Sequence, residues 1–282
     1  MITIKNENIK ASFNNVGAEL KSLIANGKEY IFGGDKNIWS YSCPLLFPIC
    51  SGLKDDEYYL DDKKYTLPKH GFARTSDFET EALSQDSVTF LLRSNEETKK
   101  NYPFDFELRV IYSLEDKKLK VKYDIKNCGT DTMYFSIGAH EAYLCEEGIE
   151  EYDVILPEKE TLDSSVLEGN LLGDKKVRII ENEDKIALKY DYFSVDALVF
   201  KTIKAREVIL KNRNTNKALK VDFNGFDYLL LWTKPNAPYI CIEPWCGISD
   251  SIHTDQNFKT KEGIISVPKG ESCQKVHSIE IL

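Results

Sequence analysis

The sequence predicts an all-β fold, a large antiparallel β-sandwich. Three observations carry this. Short segments of period-two or continuous apolar character recur along most of the 282 residues, turn residues punctuate them, and only one brief stretch has helical character. So many strands with so few helices suit two large sheets packed face to face. No Ser-, Gly- or Pro-rich linker, repeat or low-complexity tract divides the chain, which implies one domain over residues 1–282.

Residues 9–13 alternate, Asn14-Asn15 breaks the run, and 18–24 resumes it before Asn26-Gly27. That dipeptide is a strong hairpin turn because both residues tolerate positive φ, and 29–32 closes the hairpin. The apolar segment 39–48 is broken by Pro44 and Pro48, so it is no central strand, and its aromatics either wall a pocket or fill core beneath a loop. A second hairpin, 58–60 with 64–67, delivers the chain into Pro68-Lys69-His70-Gly71-Phe72-Ala73-Arg74, where a loop conformation is expected for His70.

Strand segments then follow at 78–83, 87–93, 106–112, 119–125 and 133–139, with 96–100 as a short helix ended by Pro103. An irregular, acidic stretch is expected from Glu141 to about Asp184. Strands return at 197–200, 207–211, 219–223 and 228–232.

Composition excludes some functions. Thirty-seven basic against 46 acidic residues leave a net charge of −9, with no positive field to hold a phosphate backbone, so nucleic acid is not an expected partner. No apolar run approaches the roughly 20 residues of a membrane span, and the first residues lack a signal-peptide core, so a soluble cytoplasmic protein is expected. Seven scattered cysteines, without a Cys-x-x-Cys pair, fit reduced thiols rather than disulfides or structural zinc.

Two strands carry candidate chemistry. In 135–141 the period of two puts Phe135, Ile137 and Ala139 on one face and Ser136, Gly138 and His140 on the other, so an imidazole projects beyond two very small side chains, a possible floor for a flat ligand. In 239–245, Ile240 and Ile242 face one way while Tyr239, Cys241 and Glu243 face the other. A carboxylate ending an apolar strand is costly unless solvated, paired or used, and burial beside Trp245 would raise its pKa toward that of a general base. A hydrogen-bonded structural histidine and an ordinary salt bridge remain open for these two residues, as does a turn or strand cap for Asp196.

Taken together, Leu46-Phe47-Pro48, Leu53-Lys54-Asp55, Leu67 to Arg74, Phe135 to His140, Asp196 to Phe200 and Ile242-Glu243-Pro244-Trp245 resemble the aldose 1-epimerase (galactose mutarotase) superfamily, most closely its LacX-like branch. The resemblance implies a supersandwich β-fold with a sugar bound across an open cleft and no metal or organic cofactor. It implies His140 as general acid, Glu243 as general base, and His70 and Asp196 as groups that hold sugar hydroxyls or assist the acid. Arg74 matches an arginine that meets the phosphate in the hexose-6-phosphate epimerase branch. The expected partner is a small sugar, and the expected assembly a monomer or homodimer.

Two positions depart from the family. Gly52 stands where an arginine is common, with Lys54 as a possible substitute, and Glu141 stands where proline is frequent. The alternatives to a free-hexose epimerase are a hexose-6-phosphate 1-epimerase, a sugar-binding or sensing protein without turnover, and a metal site from His70, His140 and Glu243.

Overall fold

The computed structural model describes residues 1–282. Its strands form a 14-stranded antiparallel sheet, a 4-stranded amino-terminal sheet and two two-stranded pairs, in keeping with the large antiparallel sheets expected. The long sheet runs from Ile137–Gly138 through Tyr239–Cys246, Tyr228–Trp232, Leu198–Phe200, Tyr152–Glu168, Glu207–Asn212, Ala218–Asp222, Ser272–Ile281, Lys118–Asn127, Phe106–Glu115 and Ser87–Arg93 to Glu79–Leu83.

Alternation explains why these segments lie where they do. In Phe106–Glu115 the residues Phe106, Leu108, Val110, Tyr112 and Leu114 are buried, and the paired strand Lys118–Asn127 buries Leu119, Val121, Tyr123 and Ile125. Ile240 and Ile242 near one end of the sheet belong to the same buried cluster as Val88 and Phe90 near the other. The sheet therefore encloses a shared core. Asn26 and Gly27, at φ 50° and 73°, make the expected tight turn, and the one α-helix, Glu96–Asn101, starts at an Asn95 capping box.

The region expected to be irregular is the largest departure. Residues 152–187 form a long hairpin of two 17-residue strands, Tyr152–Glu168 and Leu171–Ala187. Repeated register shifts interrupt its pairing, and most of the second strand is exposed or half-exposed, so no continuous apolar alternation marks it. The 133–139 segment is also divided. Met133–Phe135 pairs with Ile265–Val267, whereas Ile137–Gly138 joins the long sheet.

Phe47, fully buried at the start of the loop system that reaches the cleft, packs its ring against Phe72, Tyr102, Phe106 and Phe135 at centroid distances of 5.1 to 6.1 Å. Truncation there leaves a cavity bounded by four rigid rings. Phe47→Ala is expected to cost about 3–5 kcal/mol, read as a lower urea midpoint at unchanged m-value.

Candidate active site

A single register assembles the cleft. Strand Tyr239–Cys246 pairs with two successive segments, Ile137–Gly138 and Glu141–Leu144, setting Gly138 opposite Trp245 and Glu141 opposite Ile242. Continuing that register across the break between them sets His140 opposite Glu243. On the other flank the same strand pairs Leu230 with Glu243 and Trp232 with Cys241. Residues opposite one another share a face, so imidazole, carboxylate and indole line the cleft together, while the Cys241 thiol on the same face is buried outside the lining.

His140 Nε2 lies 3.3 Å from Glu243 Oε2, and both side chains are almost wholly buried. The contact is not aligned as a hydrogen bond: Glu243 Oε2 and His140 Nδ1 have no hydrogen-bond partner in the protein. Around them opens a cleft of about 410 Å³ that also receives His70, Asp196, Lys69, Arg74 and all three tryptophans, Trp39, Trp232 and Trp245. Its volume falls in the range of roughly 300–1,000 Å³ usual for small-molecule sites.

His70 is not a solvated loop histidine. Its backbone has the positive φ of a tight loop, but the side chain is buried, and the Ser51 N–H donates to Nδ1 at 3.0 Å. In the neutral ring the proton therefore sits on Nε2, which becomes a donor. Asp196 keeps one oxygen for the Ala197 N–H at 2.8 Å, while its other lies 4.0 Å from Lys69 Nζ. Arg74 donates from Nη2 to the Lys69 carbonyl at 3.0 Å and lies over the Tyr41 ring, leaving Nε buried without a partner.

Burial sets the charge states. It lowers the His140 pKa to about 3, and it holds His70 well below the ordinary histidine range, helped by the neighbouring His140, Lys69 and Arg74. Burial raises the Glu243 carboxyl well above its usual value; Lys69 opposes this and Asp196 adds to it. Burial thus disfavours the charged forms of both imidazoles and of the carboxyl.

The structure brings His140, Glu243, His70, Asp196 and Arg74 into one cleft. Other expectations change. Gly138 is no open floor, because a Cβ there would meet Trp245 Cδ1 at 2.6 Å and Cys50 Sγ at 2.9 Å; the indole itself forms the floor. Lys54 does not line the cleft, its ammonium instead reaching the Ile252 carbonyl at 3.5 Å. At Gly52 a Cβ would stand 2.7 Å from the Asn170 Cβ and 3.1 Å from its carbonyl oxygen, so the tip of the long hairpin fills the space that a side chain would enter. Trp232, Leu230 and Lys69 line the cleft without having been singled out from the sequence. Trp232 ends an apolar segment with no alternation to give its direction, and Lys69 lay within the His70 motif.

A family model described as Aldose 1-epimerase matches residues 1–280. The chromosomal Protein LacX of Lactococcus lactis subsp. lactis is 34% identical over 296 residues, an alignment covering 100% of this chain and 99% of the relative. Among solved structures, a galactose mutarotase related enzyme from Lactobacillus acidophilus superposes with TM-score 0.94 at 32% identity, covering 100% and 97% of the two chains. A galactose mutarotase-like protein from Lactobacillus casei ATCC 334 gives 0.93 at 30%, with both chains fully covered.

Two outcomes follow from this geometry. Gly52→Ala overpacks the hairpin tip and is expected to destabilise by about 1–3 kcal/mol, with a smaller loss in Gly52→Ala/Asn170→Gly, as a denaturant double-mutant cycle will show. Below pH about 6.5 the unfolded chain binds a proton that buried His140 refuses, so stability falls as pH drops toward about 3. His140→Asn removes that loss. Its stability should fall less steeply by about 1.4 kcal/mol per pH unit between roughly pH 5.5 and 4, and parallel urea-derived curves would contradict the assignment.

Proposed function

Because the chain belongs to the aldose 1-epimerase family, we propose that it interconverts the α and β anomers of a hexose, with His140 and Glu243 exchanging protons at the two oxygens of the hemiacetal. The observation that carries this reading is the buried His140–Glu243 pair, 3.3 Å apart at the base of a tryptophan-walled cleft.

The chemistry requires a proton to leave O1 while another reaches the ring oxygen. Glu243 as carboxylate takes the O1 proton, and protonated His140 gives one to O5 as the C1–O5 bond breaks. The resulting aldehyde turns about C1–C2. Closure reverses each transfer on the other face: His140 recovers the O5 proton as O5 attacks C1, and Glu243 returns its proton to O1.

After ring opening, Glu243 is protonated and His140 neutral, the state that burial favours. A bound sugar offsets this preference. Its O1 hydroxyl donates to and stabilises the carboxylate, and its ring oxygen accepts from and stabilises the imidazolium. His70 Nε2–H, Asp196 and Lys69 supply hydroxyl partners, while indole faces cover the sugar's C–H surface. No net proton is consumed.

A hexose 6-phosphate is the second reading, favoured by Lys69 and Arg74 lining the same cleft and by the unpartnered Arg74 Nε. Polarimetry on freshly dissolved α-glucose, α-galactose and glucose 6-phosphate tests both. Accelerated mutarotation is expected, with a loss of about 10²- to 10⁴-fold in His140→Ala and in Glu243→Gln. A preference for the phosphosugar that disappears in Arg74→Ala would select the second substrate, and equal rates for parent and His140→Ala on every sugar would defeat the catalytic reading.

A further inference from the structure

Cys241 has no task in the epimerisation proposed above, yet it shares the cleft-directed face of strand Tyr239–Cys246 with Glu243 and lies diagonally across from His140 in the same register. Ligand atoms of His140, Cys241 and Glu243 all lie within 4.8 Å of one another, and all three residues are buried. His140 Nδ1 and Glu243 Oε2 have no hydrogen-bond partner. Glu243 Oε2, the oxygen that faces the imidazole, is thus left with unused coordinating capacity.

One of the three separations already suits a small cation, and the other two lie within 4.8 Å. Around a tetrahedral zinc, with Zn–S about 2.3 Å and Zn–N or Zn–O about 2.0–2.2 Å, neighbouring ligand atoms stand roughly 3.4–3.6 Å apart. His140 Nε2 and Glu243 Oε2 are already at 3.3 Å. One thiolate and one carboxylate cancel the charge of a divalent ion, which offsets the main cost of burying it. Mixed nitrogen, sulfur and oxygen donors suit Zn²⁺ or Cd²⁺, whereas Mg²⁺ and Ca²⁺ require oxygen ligands. The thiolate is also the needed second negative charge, since Lys69 and Arg74 on the same cleft repel an unneutralised cation.

We propose that His140, Cys241 and Glu243 bind a divalent thiophilic cation of the Zn²⁺ class, and that the bound ion excludes the sugar by occupying the two groups that would handle its protons. On binding, the Cys241 S–H bond breaks, an Sγ–metal bond forms and the proton passes to solvent, along with the carboxyl proton where Glu243 carries one; no electron is transferred. The exclusion rests on the sugar-cleft reading, whereas the metal site does not.

Anaerobic titration of the full chain with Cd²⁺ tests this, read by the ultraviolet sulfur-to-cadmium charge-transfer band and by calorimetry. A Cys128→Ser/Cys273→Ser background removes the two thiols that are not buried. One saturable equivalent with the band is expected, and Cys241→Ser should lose the band and bind at least about tenfold more weakly. Glu243→Gln, which keeps the thiol, should also weaken Cd²⁺ by about tenfold. Absence of the band in the parent, its retention in Cys241→Ser, or unchanged affinity in Glu243→Gln would overturn the site. Galactose should raise the apparent Kd for Cd²⁺. Galactose that binds the metal-free protein without changing that Kd would overturn the exclusion alone. If none of the three sugars assayed by polarimetry binds the metal-free protein, the sugar reading and the exclusion fall together while a positive Cd²⁺ titration leaves the metal site standing.

Discussion

One antiparallel register holds the cleft together. Strand Tyr239–Cys246 is buried along its length and pairs on both sides, so sliding it by a residue would turn Glu243 into the main core and Ile242 into the cleft. Ile240 and Ile242 lock the register by their burial in the shared core, and Trp245 adds an Nε1–H bond to the Ala139 carbonyl at 3.1 Å. The polar pair is thereby held by apolar packing rather than by its own interactions. This matters because the pair supplies little stabilisation: its two groups are desolvated and imperfectly aligned, and each buried polar atom left without a partner costs on the order of 1–3 kcal/mol.

A second set of contacts fixes His70 from outside the long sheet. The Ser51 N–H donates to its Nδ1, while the His70 N–H donates to the Ser51 carbonyl at 2.8 Å, so the two residues clasp each other. The loop that carries Ser51 is in turn tied down by Asp250, whose N–H donates to the Gly52 carbonyl and whose carboxylate accepts from the Lys54 N–H. Lys261 completes the anchor with a buried 2.7 Å ion pair to Asp250. Buried pairs of this kind add little net stability when compared with apolar substitutes, but removal of either partner strands a charge. Their consequence here is geometric: the His70 tautomer depends on a peptide N–H whose position depends on that ion pair.

What the sequence made legible follows from where side-chain alternation survives. The 106–115 and 118–127 strands each have one buried face, whereas 239–245 is buried on both and only its alternation of residue types puts Tyr239, Cys241 and Glu243 on one side. His140 stood out through its small neighbours, although the space beside Gly138 belongs to an indole from the opposite strand. Alternation fails in Tyr228–Trp232, where four consecutive residues are buried, so the direction of Trp232 had no local signal. The 152–187 hairpin was illegible for the opposite reason. Its second strand is largely exposed and its pairing bulges repeatedly, leaving polar residues without a period. Gly52 shows the remaining limit: a missing side chain is visible in sequence, but the Asn170 that fills its place is 118 positions away along the chain.

The burial on which the proposed proton exchange rests also bears on what the cleft would hold. Two polar groups withdrawn from water gain from any occupant that restores their hydrogen bonds, and the gain is larger because the surrounding indoles exclude competing solvent. In the proposed reaction a pyranose would do this with one donor and one acceptor, O1 and O5, both bonded to C1. An acyclic polyol's hydroxyls can also both donate and accept, but they sit on successive carbons rather than on one, so the difference from a pyranose is one of spacing and rigidity. In the proposed epimerisation a preference for the closed sugar would therefore be geometric, with Lys69, Arg74 and Asp196 left to meet its more distant substituents.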